Sequence, residues 1–208
     1  MNEQFEKYEN ENNVLFILSG PSGVGKSTVG ISLINFLGRD KIRRVVTTTT
    51  RPPRAGEMDG VDYFFVSKEK FLSNIKDGVF LEYAKTNDEY YGSSMSDIMS
   101  TLESGIDALL TIDVNGVEQI LKVRENIPFK IVTIFLFLED FDELRERIEN
   151  RGSETEVTLR KRLDTAKYEI SKMSMYDFVV KSRTMDDDLQ SLVNIYKKVK
   201  GMDFSSTK

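Results

Sequence analysis

The sequence predicts an α/β protein built on a parallel sheet, and three observations lead there. Short apolar runs recur along the chain, helical stretches separate them, and the first run closes on a glycine-rich turn that opens a helix. Val14-Leu15-Phe16-Ile17-Leu18 is continuous rather than alternating, as expected for a strand covered on both faces. A helix should follow over residues 26–37, with Gly38 as its C-terminal stop.

Further buried strands are expected over residues 108–113, 130–138 and 178–181, with a helix beginning near Asn115. Helical stretches over 144–150 and 156–172 flank an interruption at Arg151-Gly152-Ser153. Their dense charge suits a solvated, mobile lid. Between Arg44 and Tyr91 the texture is β-rich, with strand-like runs at 45–50, 63–66 and 79–86 and a helical look only at 71–75. The expected organisation is a single domain over 14–203 between a flexible N-terminal extension (1–13) and a flexible tail (204–208). Its core is 14–44, 92–138 and 167–203, its insertion 45–91 and its lid 139–166.

The chain has 208 residues, 39% of them hydrophobic and 30% charged, which suits a folded globular domain. Its net charge of −5 offers no field for a nucleic-acid polymer or an anionic membrane. No run approaches a membrane span and residues 1–13 hold no secretory core, so a cytoplasmic location is expected. Cysteine and histidine are both absent. Thiol nucleophiles, phosphohistidine and Cys/His zinc sites are thereby excluded, leaving Lys, Arg, carboxylates, hydroxyls and a hard cation to do any chemistry.

Gly20-Pro21-Ser22-Gly23-Val24-Gly25-Lys26-Ser27, followed by Thr28, fits the phosphate-binding P-loop and lies between a strand and a helix, where that loop must lie. Its glycines let backbone N–H groups turn toward phosphates, the helix N-terminus adds a positive dipole end, Lys26 reaches the β and γ oxygens, and Ser27 can ligate Mg²⁺. A nucleoside triphosphate is therefore the expected ligand. Asp113, at the end of a strand, can face a metal or a second substrate, or it can cap the helix that follows.

Thr-Thr-Thr-Thr-Arg-Pro-Pro-Arg at 47–54 places Arg51 and Arg54 on a stretch stiffened by Pro52 and Pro53. Two guanidinium forks so spaced can grip one phosphate, with hydroxyl donors from Tyr63, Tyr90 or Tyr91. The same residues also suit surface arginines and core tyrosines.

Taken together these segments resemble the guanylate kinase family. The P-loop, Thr49-Thr50-Arg51-Pro52-Pro53-Arg54-Ala55-Gly56-Glu57, Gly60-Val61-Asp62-Tyr63-Phe64-Phe65, Phe80-Leu81-Glu82, Tyr91-Gly92-Ser93, Ile112-Asp113 with Gly116, Arg147 through Arg151-Gly152, and Arg162-Leu163 with Ala166 and Glu169 carry the resemblance from Leu15 to about Val180. It implies a P-loop NTPase fold with a GMP-binding insertion and a helical lid, and phosphoryl transfer from ATP with Mg²⁺ to GMP and dGMP. By it Arg51, Arg54, Tyr63 and Tyr91 hold the GMP phosphate, Thr47, Glu82 and Ser93 read guanine, Asp113 lies on the substrate side, and Arg147, Arg151 and Arg162 face the transferring phosphates. Closure of insertion and lid over the P-loop is expected when both nucleotides bind, since an open phosphate site would let ATP hydrolyse, and no protein partner is implied. Thr111, Asn115 and Ser182 depart from residues common in the family, which bears on Mg²⁺ placement and on preference for ATP. Two other readings compete: a ribose 1,5-bisphosphate kinase on the same scaffold, and a catalytically inert binding module.

Overall fold

A computed structural model of the chain describes residues 13–86, 88–149 and 156–202. Its strands are β1 (Val14–Ser19), β2 (Ile42–Arg44), β3 (Thr48–Thr49), β4 (Phe64–Phe65), β5 (Phe80–Thr86), β6 (Glu89–Ser94), β7 (Asp107–Thr111), β8 (Lys130–Phe137) and β9 (Phe178–Lys181). Its helices are α1 (Lys26–Leu37), α2 (Lys68–Lys76), α3 (Met95–Glu103), α4 (Val114–Val123), α5 (Phe141–Glu149), α6 (Glu156–Ser171) and α7 (Met185–Val199). One sheet runs β2-β7-β1-β8-β9, and the other runs β4-β3-β6-β5. The pairs β2/β7 and β8/β9 are parallel, and β7 and β8 carry the continuous buried apolar runs that go with such pairing. By internal contacts the described residues divide into two units, one drawn from 13–15, 40–110 and 115–131, the other from 16–39, 111–114 and 132–202.

Every β1 residue is buried, and in the second unit Phe16 lies against Tyr196 of α7, ring centroids 5.3 Å apart. Helix α1 ends at Gly38, whose φ of 95° only glycine adopts freely and whose N–H bonds the Ile34 carbonyl. Helix α7 starts from Thr184, whose hydroxyl accepts from the Asp187 N–H and donates to the Asp187 carboxylate. Asp186–Asp188 in its first turn and Lys197 and Lys198 in its last suit the helix dipole.

In the first unit the β-branched run at 45–50 is not one strand. Ile42–Arg44 pairs with β7, the Val45 N–H still bonds the Leu109 carbonyl, and Thr48–Thr49 then pairs with β6 and β4, so the segment 42–49 serves two sheets in succession. Strand β6 is the larger surprise: Glu89–Ser94 is polar and alternates weakly, yet it pairs with β5 along its length to Ser94. The insertion's sheet thus continues through residues 92–94, which sequence reasoning assigned to the core. Helix α2 is longer than the expected 71–75 because Ser67 caps it through the Lys70 N–H. No described helix is long and apolar enough to cross a membrane.

Candidate active site

The phosphate loop lies within the second unit. Gly20, Gly23 and Gly25 have φ of 141°, 93° and 104°. At Gly20 a Cβ would stand 2.0 Å from the Leu136 carbonyl oxygen, and at Gly23 it would meet the Ile148 side chain of α5 at 3.0 Å. Both glycines are therefore demanded twice, by conformation and by close packing. Gly25 opens α1 without a side-chain cap, and the first turn carries no acid, so the positive end of the helix stays uncompensated. Lys26 Nζ donates to the carbonyls of Gly20 (2.5 Å) and Pro21 (2.9 Å), folding the ammonium back over its own loop. Ser27 and Thr28 are exposed on the first turn, while Pro21 and Val24 are buried and Ser22 partly so. These features fit a triphosphate: an uncompensated helix N-terminus, an ammonium and exposed hydroxyls are donors it needs.

Two acids adjoin this loop in the same unit. The Ile112 N–H bonds the Leu18 carbonyl at 3.3 Å, which sets the segment carrying Asp113 beside the end of β1. Glu169 of α6 is 7% exposed, and sequence reasoning gave it no role. Burial pushes its carboxyl up to about 7, with the Lys26 ammonium pulling it down and Asp113 adding to the rise. The sign follows from linkage: above the ordinary value of 4.5 the unfolded chain releases this proton first, so stability falls as pH rises toward about 7. The full loss is on the order of 3 kcal/mol. Glu169→Gln should therefore gain on the wild type between pH 5 and pH 8 by up to about that amount, measured by denaturant melts without nucleotide. A difference between the two proteins that does not change with pH would show the carboxyl staying ionised.

In the first unit, cross-strand register assembles a polar face. Pairing sets Glu82 opposite Ser93, Ala84 opposite Tyr91 and Thr49 opposite Tyr91, so these side chains share one face of the sheet. A bulge between Phe80 and Glu82 produces this alignment. On the opposite face Gly92 leaves room for Phe71 and Phe80, whose rings a Cβ would meet at about 3.0 Å. Tyr90 also faces that way, its ring 5.4 Å from Phe71, so it does not join Tyr91 as a phosphate donor. Glu82 is 3% exposed and Ser93 fully buried, and the Ser93 hydroxyl donates to Glu82 Oε1 at 2.6 Å. Thr47 is buried and accepts the Phe64 N–H on its carbonyl.

Arg51 is held from three sides. Its Nη1 and Nη2 donate to the two Glu57 oxygens at 2.7 Å each, and Nη1 also bonds the Pro52 carbonyl. Its guanidinium carbon stands 4.8 Å from the centre of the Tyr63 ring, which meets Tyr91 edge-on. Glu57 also accepts the Arg54 N–H at 2.8 Å, and the Arg51 guanidinium holds its carboxyl down at about 2. The carboxylate therefore organises the turn carrying both arginines, leaving the exposed Arg54 head to the solvent side. Glu57 went unassigned in sequence reasoning, although an acid six residues beyond Arg51, across Pro52-Pro53 and Gly56, signals such a partner.

Of the expected lid arginines, Arg147 on α5 pairs with Glu143 at 2.6 Å, Arg162 lies partly buried on α6, and Arg151 falls outside the described residues. Arg162 and Glu169 are seven residues apart, two helical turns, which places both on one face of α6; that spacing was the legible sign of Glu169.

The glycine-rich loop between a buried strand and a helix makes this a P-loop nucleotide-binding protein of the α/β class. The family model described as Guanylate kinase matches residues 12–199. The chain is 44% identical over 189 residues to a guanylate kinase of Oceanobacillus iheyensis, covering 91% of this chain and 87% of the relative. It is 45% identical over 186 residues to one of Latilactobacillus sakei subsp. sakei, covering 89% and 87%. Among solved structures, that of guanylate kinase from Anaplasma phagocytophilum superposes with a TM-score of 0.72 at 27% identity, covering 94% of this chain and 89% of that one. The chain belongs to the guanylate kinase family.

Proposed function

We propose that this protein transfers the γ-phosphate of ATP to the phosphate of GMP, and of dGMP, yielding ADP and the nucleoside diphosphate. The observation that carries the acceptor assignment is the buried Glu82–Ser93 pair, which shares its sheet face with Tyr91 in the unit that also holds Arg51. Guanine offers two adjacent donors, N1–H and N2–H₂, and acceptors at O6 and N7; a carboxylate beside hydroxyls complements that edge. A ribose bisphosphate kinase has no purine to read and no use for such a pair. An inert binding module has no use for the P-loop geometry of Gly20, Gly23 and Lys26.

In this reading residues 45–91 bind the acceptor and 139–166 form the lid. Arg51, Arg54, Tyr63 and Tyr91 hold the acceptor phosphate, while Thr47, Glu82 and Ser93 read the base. Gly20 to Thr28 hold the donor phosphates, with Asp113 on the substrate side. The acceptor oxygen forms a new bond to the γ-phosphorus as the bond from that phosphorus to the β-bridging oxygen breaks. No protein base is required, because a phosphate monoester with its second pKa near 6 is already mostly dianionic at pH 7. The residues' work is alignment and charge neutralisation: Lys26 at the β and γ oxygens, and Arg147, Arg151 and Arg162 on the transferring group. The exposed Ser27 hydroxyl fits Mg²⁺, which takes few protein ligands and keeps water and phosphate oxygens as the rest. When bound, that ion neutralises phosphate charge. Coupled ADP release measured side by side with GMP, AMP, UMP and ribose 1,5-bisphosphate tests the assignment. Turnover with GMP far above the others is expected; turnover with the bisphosphate alone, or with none, would overturn it.

A further inference from the structure

Strand β5 is the outer strand of the order β4-β3-β6-β5, so among the described residues one of its edges has no strand partner. Along a strand the N–H and C=O of successive residues point to opposite edges; when one residue faces its partner strand, the next faces outward. Outward-facing groups on such an edge are ordinarily left to water. At Tyr83 they are not. The Tyr83 N–H donates to Gln119 Oε1 at 3.3 Å, and Gln119 Nε2 donates to the Tyr83 carbonyl at 2.7 Å. The side-chain amide of Gln119, on α4, thus supplies the donor and acceptor that one residue of a neighbouring strand would supply. A third bond, from Nε2 to the Asn115 carbonyl one turn back at 3.3 Å, sets the amide's orientation.

Tyr83 directly follows Glu82, and its position makes the clamp consequential. On the N-terminal side of Glu82 the ladder is broken by the bulge between Phe80 and Glu82. The backbone carrying Glu82 is therefore held from β6 across an irregular register and, on its C-terminal side, by Gln119. A group that accepts two hydrogen bonds from a base must be placed to within a fraction of an ångström, and its supporting contacts set that placement.

We propose that Gln119 is a positioning residue for base recognition, clamping the open edge of β5 at Tyr83 so that Glu82 stands opposite Ser93 in reach of the acceptor's base. The inference rests on the reading of Glu82 as the guanine acceptor. Its test is a double-mutant cycle of Gln119→Ala and Glu82→Gln, read as kcat/KM for GMP and KM for ATP, with thermal melts to verify folding. Both Gln119–Tyr83 bonds are exposed, so the variant should fold. On the wild-type background Gln119→Ala should lower kcat/KM for GMP about tenfold and leave KM for ATP unchanged. On the Glu82→Gln background the same substitution should change kcat/KM by less than about twofold, because the group it positions is gone. Equal losses on both backgrounds, no loss on either, or a matching rise in KM for ATP would overturn the clamp while leaving the base site standing. If Glu82→Gln alone, assayed with GMP and with AMP, lowered kcat/KM for both in parallel, the base-site reading would fail, and the clamp with it.

Discussion

Lys26→Ala is expected to abolish phosphoryl transfer, lowering the single-turnover rate by ~10³-fold or more, with only a modest loss of stability. The rate argument is electrostatic. Lys26 carries the one P-loop cation expected at the β and γ oxygens, where charge moves as the bond breaks, and a preorganised donor at developing charge is worth several kcal/mol. The stability argument comes from the structure. Losing the ammonium removes its bonds to the Gly20 and Pro21 carbonyls, groups that water can partly reach, at a cost of about 1 to 2 kcal/mol. It also removes the positive charge that draws the Glu169 carboxyl down, but that carboxyl already sits at about 7 and can stay protonated at neutral pH. No bare buried anion is left behind. Near-normal turnover in this variant would remove the P-loop mechanism, and an unfolded variant would assign Lys26 a structural weight that its few bonds do not explain.

Glu82→Gln should lower kcat/KM for GMP by ~10² to 10³ while activity with AMP stays flat or rises. As a carboxylate Glu82 can accept from guanine N1–H and N2–H₂ together. Gln has a single carbonyl oxygen; with Ser93 donating to that oxygen at the Oε1 position, the amide NH₂ is turned toward the guanine donors. One lost charge-assisted bond and one repulsive contact amount to roughly 3 to 4 kcal/mol, which converts to the stated factor. Adenine carries an acceptor at N1, so the same amide can donate to it. A parallel decline of GMP and AMP would instead assign Glu82 to the fold or to the phosphate clamp, leaving the kinase assignment intact.

Several features of this protein are written in consecutive residues. The P-loop is one, because its glycines, lysine and hydroxyl act through a single turn, and strand β1, helix α1 and the stop at Gly38 follow from the apolar run and the glycines that bound it. The paired arginines on a proline-stiffened segment, and the Phe-Leu-Glu and Tyr-Gly-Ser series, were equally legible as chemistry. Their arrangement was not. That Glu82 meets Ser93, and that Tyr90 and Tyr91 face opposite ways, depends on the register of β6, a polar strand held by pairing on both its edges rather than by its own hydrophobic pattern. The remaining contributions cross long stretches of chain. Glu169 gains its raised carboxyl value only because folding buries α6 against the surroundings of Lys26 and Asp113, which lie over fifty residues away in sequence. Gln119 reaches Tyr83 across 36 residues, and nothing local to either residue announces the other. Residue types and short spacings determined which chemistry the chain can perform; burial, register and long-range hydrogen bonds, which exist only once the chain has folded, decided which side chains are placed to perform it.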